Sequence, residues 1–220
     1  MTKHTIRHAP LEQKDARIRA KMGRCPREAT LRPEAVASGL TTAPINKMSQ
    51  TQDYAISELL RDGRRVTIRA LRPDDEAGLT EAVEGLSAAS LHRRFFAVKR
   101  NFSDREKEFF LHVDFVNHVA LVAEIADGSA ARIVGGARYI VGSPGSAEVA
   151  FAIVDEFQGQ GLGTLLMRHL LTLARSGGLN TLVAEVLAEN AAMLKVFEKS
   201  GVEMQTRRDA GVVHVQMKIS

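Results

Sequence analysis

Residues 148–164 read Glu148-Val-Ala-Phe-Ala-Ile-Val-Asp-Glu-Phe-Gln-Gly-Gln-Gly-Leu-Gly-Thr164. Alternation over 147–154 predicts a strand, and a short acidic turn and a glycine-rich loop follow it. Behind the loop, Leu162, Leu165, Leu166, Leu170 and Leu173 recur at the spacing of one helix face. Strand, glycine loop and helix N-terminus in that order make an anion cradle. The first-turn N–H groups have no intrahelical partner, the macrodipole adds positive charge, and glycines let a phosphate approach the backbone. A Walker P-loop is excluded, because no Lys-Ser/Thr pair follows the glycines. The pattern GxGxxG is not met either, since Thr164 stands three residues after Gly161.

Gln158-Gly-Gln-Gly161-Leu-Gly163 does fit Q/R-x-x-G-x-G/A, and Asn190-Ala-Ala-Met193 opens a second short helix further on. On these motifs the sequence resembles the GNAT superfamily of acyl-CoA N-acetyltransferases. The resemblance implies an α/β fold, with a mixed central sheet flanked by helices and a splayed strand pair that binds the cofactor. It implies acetyl-CoA as co-substrate; no metal is expected, since the single cysteine and the histidine spacing offer no ligand cluster. The competing reading is a glycine-rich turn in an ordinary α/β domain.

The net charge of +4 is unevenly spread: residues 1–50 carry +6 and residues 51–220 carry −2. Four of the six prolines, Pro10, Pro26, Pro33 and Pro44, lie in the same basic stretch. Residues 1–60 are therefore expected to be a mostly disordered basic tail, with a marginal helix over 11–22, and residues 61–220 the folded domain. The tail lacks aromatics for base stacking, so no nucleic-acid partner is expected. An Arg-rich targeting peptide is opposed by Glu12, Asp15 and Glu28, and an over-extended start with Met48 as the first residue is a further reading. No apolar run approaches the roughly 20 residues that cross a bilayer. One cysteine, Cys25, allows no internal disulfide, and a reducing cytoplasm is the expected location.

In the folded region, 66–71 alternates as a strand, and Arg72-Pro-Asp-Asp75 stops it and starts a helix. Ser90–Phe96 is a basic-aromatic stretch, read either as a lip over an acidic acceptor or as a buried Phe pair beside a solvated Arg pair. Ser103-Asp-Arg-Glu106 is a capping box. Strands over 119–126 and 133–141 meet at the hairpin signal Asp127-Gly128. After the cofactor helix come a strand over 181–187, a helix over 190–200 and a terminal hairpin around 209–211. The order βααβββαβαββ is the GNAT order.

An amine acceptor is protonated at neutral pH, with a reference pKa near ~10.4 for lysine, and must lose that proton before it attacks a thioester. Glu148 is the candidate base. It shares a strand face with Ala150, Ala152 and Val154, whose small side chains leave room beside it. Periodicity alone allows a solvent-facing Glu as readily. Residues 66–220 resemble the catalytic domain of bacterial protein lysine acetyltransferases that act on AMP-forming acyl-CoA synthetases. Ile68-Arg-Ala-Leu-Arg-Pro-Asp-Asp75, Ser87–Phe96, Val113-Asp-Phe115 and Glu148-Val-Ala-Phe151 carry this likeness. It implies that Glu148 is the general base and that a protein lysine is the acceptor, with such a synthetase as partner.

The resemblance further implies that backbone groups at Ile153 and Val154 bind pantetheine. The amides of Gln158, Gly159, Gln160, Gly161, Leu162, Gly163 and Thr164 would hold the pyrophosphate. Asn190 is read as a pantetheine ligand or a helix N-cap, two roles it can fill together. Many members carry Tyr where Phe197 stands, to protonate the leaving thiolate; Phe197 has no proton to give. His118 and His169 have no partner at metal-ligand spacing and read as structural. A small-molecule amine acetyltransferase and a non-catalytic acyl-CoA sensor are the rival functions.

Overall fold

The computed structural model describes residues 51–96, 102–128 and 130–220. The expectations for the basic stretch up to residue 50, including its helix and Cys25, lie outside the described residues. The strands are β1 (Ala55–Leu59), β2 (Arg65–Ala70), β3 (His118–Asp127), β4 (Ala130–Ser143), β5 (Ser146–Ile153), β6 (Thr181–Leu187), β7 (Glu203–Asp209) and β8 (Val212–Lys218). The helices are α1 (Glu76–Glu84), α2 (Ala88–Phe95), α3 (Asp104–Leu111), α4 (Leu162–Ser176) and α5 (Ala191–Glu198). The strands form one sheet in the order β1-β2-β3-β4-β5-β6-β8-β7. Every neighbouring pair is antiparallel except β5 and β6.

Alternation decides which way each strand faces. In β5, Ala147, Val149 and Phe151 are buried, and Glu148, Ala150 and Ala152 are half-buried on the other face. The first face packs on α4, whose Leu162, Leu166, Met167 and Leu170 are almost wholly buried in the main core with Tyr139, Phe157 and Phe197. Full burial of each such side chain contributes about 1.5–3 kcal/mol. The opposite face carries a smaller cluster of Leu71, Ala120, Val122 and Ile133, with Leu79 and Val113 against it.

The run 68–75 has a physical reason. Arg69, buried in β2, donates from Nη1 and Nη2 to the two oxygens of Asp75 at 2.8 and 2.7 Å and from Nε to Glu124 at 2.8 Å. Asp75 also accepts from the Arg72 N–H at 2.7 Å. The strand is thus tied to the turn that starts α1. The Ser103–Glu106 capping box forms as the sequence predicts.

The expected tail over 1–60 is corrected at its end, where 55–59 is an added edge strand. β1 pairs with β2 from Ala55–Arg69 to Leu59–Arg65. Four of its five residues are exposed, so no alternation marks it in the sequence. Side chains hold it instead: the Tyr54 hydroxyl bonds Nδ1 of buried His169, and Glu58 reaches His169 Nε2 at 3.0 Å and pairs with Arg168.

Candidate active site

β5 and β6 form a parallel pair over three register positions only, Ser146–Thr181, Ala147–Leu182 and Glu148–Val183. Beyond Glu148, β5 continues to Ile153 against β4 alone, while β6 stays with β8 along its full length. The two strands therefore open into a cleft starting at Glu148. Val154 N–H bonds Val134 O at 3.0 Å, so the alternation of an antiparallel ladder turns the backbone groups of Ile153 and Phe151 away from β4, toward that cleft. Val154 differs from the expectation. Its N–H is taken by Val134 and its carbonyl accepts from Phe157 N–H at 2.9 Å, so neither faces the cleft. The Ile153 carbonyl accepts from the Gln158 side chain at 3.0 Å.

The cleft ends at the glycine loop. Gly159 and Gly161 have φ of 76° and 89°, a region that favours glycine. Thr164 N–H closes the first turn of α4 on Gly161 O at 3.0 Å, which sets Thr164 apart from the amides of Gly159 to Gly163 ahead of it. The Gln158 side chain braces the loop, donating to Ser90 Oγ at 3.0 Å as well as to Ile153. Gly163 permits close packing, since a Cβ there would lie 3.0 Å from Val196 and 3.3 Å from Ile153. Asn190 caps α5, accepting from Met193 N–H at 3.2 Å.

Arg61, in the β1–β2 turn, is a contributor that sequence reasoning missed. Its N–H bonds Gln160 O at 3.1 Å, its Nη1 approaches Gly159 O at 3.4 Å, and its Nε is 3.4 Å from where a Cβ of Gly161 would stand. Only folding brings it there across 98 residues. Two positive-φ glycines, the N-terminus of a 15-residue helix and an adjacent guanidinium fit a diphosphate.

On the sheet face that carries Glu148, Arg138 of β4 stands opposite Ala150, and Ile140 opposite Glu148. A cavity of about 290 Å³ lies between this face and α1–α3, lined by Leu79, Val83, Phe95, Phe110, Ala150 and Ala152 together with Arg94 and Arg138. Burial lowers the Arg94 pKa to about 10, against the field of Glu148, and lowers that of Arg138 to about 9, with Arg94 adding repulsion. His118, buried at the end of β3, is pushed down to about 3 by burial and by Arg138. Arg138 Nη1 donates to Phe110 O at 3.2 Å and to His118 Nε2 at 3.1 Å. Ser90–Phe96 is accordingly neither a simple lip nor a solvated Arg pair: Leu91 and Phe96 are buried, Arg93 is exposed, and Arg94 turns into the cavity.

Phe197 is core, stacked edge-on to Phe151 at 6.0 Å. The two tyrosines lie elsewhere, Tyr139 buried on the α4 side and Tyr54 on His169. Among the described residues, no group of three or more His, Cys, Asp and Glu is placed to hold a metal, and no helix is long and apolar enough to cross a membrane.

A mixed sheet whose one parallel pair splays toward a glycine cradle defines the acyl-CoA-dependent transferase class of α/β folds. The chain belongs to the Acetyltransferase (GNAT) family, whose model matches residues 86–202. It is 35% identical over 137 residues to an acetyltransferase of Pseudomonas aeruginosa, covering 62% of this chain and 74% of that one. It is 31% identical over 163 residues to the acetyltransferase Pat of Mycolicibacterium smegmatis, covering 73% of this chain and 47% of the relative, so it spans about half that protein's length. The crystal structure of the GNAT domain of S. lividans PAT superposes with a TM-score of 0.67 at 32% identity, covering 74% of this chain and 96% of that domain.

Proposed function

We propose that the chain acetylates the ε-amine of a protein lysine by direct attack in a ternary complex, with Glu148 as general base and an AMP-forming acyl-CoA synthetase as acceptor protein. The observation that carries the reading is the position of Glu148 at the last register pair before β5 and β6 part, on the face that looks into the cavity. Similarity to proteins named Pat supports the protein acceptor.

Acetyl-CoA supplies the acetyl thioester. Gly159 to Gly163 and Arg61 hold its diphosphate, and the backbone of Phe151 with the N–H of Ile153 lies along its arm as an added strand would. Glu148 takes the proton of the lysine ammonium, which leaves a lone pair on nitrogen to attack the carbonyl carbon. N–H groups turned into the cleft receive the charge that develops on the carbonyl oxygen. The C–N bond forms, the C–S bond breaks, and the sulfur leaves with its electron pair. Phe197 cannot protonate it, so that proton comes from water or from the acceptor.

The test is acetyl transfer to an AMP-forming acetyl-CoA synthetase, read by mass spectrometry beside Glu148→Gln. We expect one modified lysine, acetyl-CoA affinity retained in the variant, and transfer reduced by roughly 10²–10⁴. Equal transfer by the variant would overturn the base assignment. Acetyl-CoA binding without protein modification would favour a small amine or a sensor role.

A further inference from the structure

The cavity lined by Ala150 and Ala152, on the face of β5 that carries Glu148, has apolar walls and two half-buried cations. Arg94 enters from α2 and Arg138 from β4, with their guanidinium carbons 4.8 Å from the rings of Phe95 and Phe110. At the mouth, the charges are exposed: Glu76 pairs with Lys107 at 3.7 Å, and Glu84 faces solvent. Inside, the field of Glu148 favours the charge on Arg94, whereas Arg138 faces the repulsion of Arg94 and leans on a carbonyl and a neutral imidazole.

Charges drawn partly out of water favour a paired counter-charge, and a guanidinium presents a planar fork that matches a carboxylate. An ammonium alone gains nothing from two cations beside its route to Glu148. An acceptor with a carboxylate close to its amine does gain, because the carboxylate cancels the repulsion and steers the amine to Glu148. Leu79, Val83 and the two phenylalanines then cover an apolar stem.

We propose that the Arg94–Arg138 wall is an anion subsite that seats a carboxylate of the acceptor, next to the amine to be acetylated. It rests on the reading of this cavity as the acceptor site. The carboxylate comes either from an acidic residue flanking a substrate lysine or from a free amino acid, and the chemistry of recognition is the same.

Two measurements test it. In the first, sodium pentanoate and pentanamide are titrated calorimetrically into the protein at matched ionic strength. Pentanoate is expected to bind at least about ten-fold more tightly, the worth of one charge-assisted hydrogen bond set. Arg138→Gln and Arg94→Gln should each erase the difference while acetyl-CoA affinity stays unchanged, and Arg138→Lys should restore part of it. Equal binding of the two probes by the unaltered protein overturns the subsite, whether or not either variant folds.

In the second, kcat/KM is compared for lysine peptides with Asp or Asn beside the lysine and for amino acids against their amides. A preference for Asp peptides supports both the subsite and the lysine reading. Turnover of free amino acids but no peptide keeps the subsite and removes the protein acceptor. Peptide turnover indifferent to Asp or Asn keeps the protein acceptor and removes the subsite.

Discussion

Arg138 donates to Nε2 of His118 at 3.1 Å, and since a guanidinium cannot accept, the imidazole proton stands on Nδ1. The ring is buried and stacked on Phe109 at 5.2 Å, so a second proton would place a buried cation against Arg138. Burial first and Arg138 second push the His118 pKa to about 3. The folded state thus holds fewer protons than the unfolded chain below the ordinary histidine value. Stability is full above about pH 6.5 and falls as pH drops toward 3. Denaturation midpoints across that window should therefore decline, and His118→Gln should flatten the decline even where it lowers the plateau.

The two-point pair between Arg69 and Asp75 makes a second prediction. Asp75→Asn keeps the shape but leaves a buried guanidinium short of a charge, and we expect a loss of about 3–5 kcal/mol in urea unfolding. Burial acts to raise the Asp75 pKa, but the bonds from Arg69 and Arg72 outweigh it and the net shift is downward. Its contribution is present above the unfolded carboxylate range and disappears as pH falls through the lower folded value. An Asn variant as stable as the parent would show that the pair is replaceable.

Truncation separates the β1 strand from what precedes it. Removing residues 1–50 is expected to leave turnover intact. Removing residues 1–60 takes away β1, the Tyr54–His169 bond and Leu60, and it bares the edge of β2. The longer deletion should aggregate or lose its cooperative thermal transition, and equal melting of the two would sink the structural role of β1.

Which parts were legible in the sequence follows from where each signal resides. The loop from Gln158 to Gly163 carries its geometry locally, in glycines that tolerate positive φ and leucines at helix spacing behind them. Alternation likewise placed Glu148 on the face opposite Phe151. It could not say which way the backbone of Val154 points, because that depends on the register with Val134. Arg61 and Arg138 gave no local sign, and Arg94 stood in a basic-aromatic stretch whose pattern did not say which of its side chains turns inward. All three reach the cleft from a turn, a short helix and a strand that meet only in the fold, and a basic residue in any of these usually faces water.

Gly161 offers a direct test of the cradle. Alanine there would have to hold a φ of 89° and would stand against the Arg61 side chain. Gly161→Ala should weaken acetyl-CoA binding by roughly ten-fold, matching about 1–2 kcal/mol of backbone strain, with a smaller change in kcat once cofactor saturates. Calorimetry with acetyl-CoA reads the first effect and saturating kinetics the second. A fall in kcat with unchanged affinity would move this glycine out of the cradle.

Phe197 closes the catalytic question, because its ring is 1% exposed and meets Phe151 edge-on. Phe197→Ala should cost about 3–5 kcal/mol through the cavity it opens. Phe197→Tyr is the sharper variant. A hydroxyl buried among apolar neighbours lacks a partner and should cost about 1–3 kcal/mol, with no gain in kcat. If kcat instead rises and its alkaline limb shifts, the ring edge faces the leaving sulfur, and the parent enzyme works without an acid that this position can supply. If only stability changes, Phe197 serves packing alone, and proton return to the sulfur passes through water or through the acceptor's own departing proton.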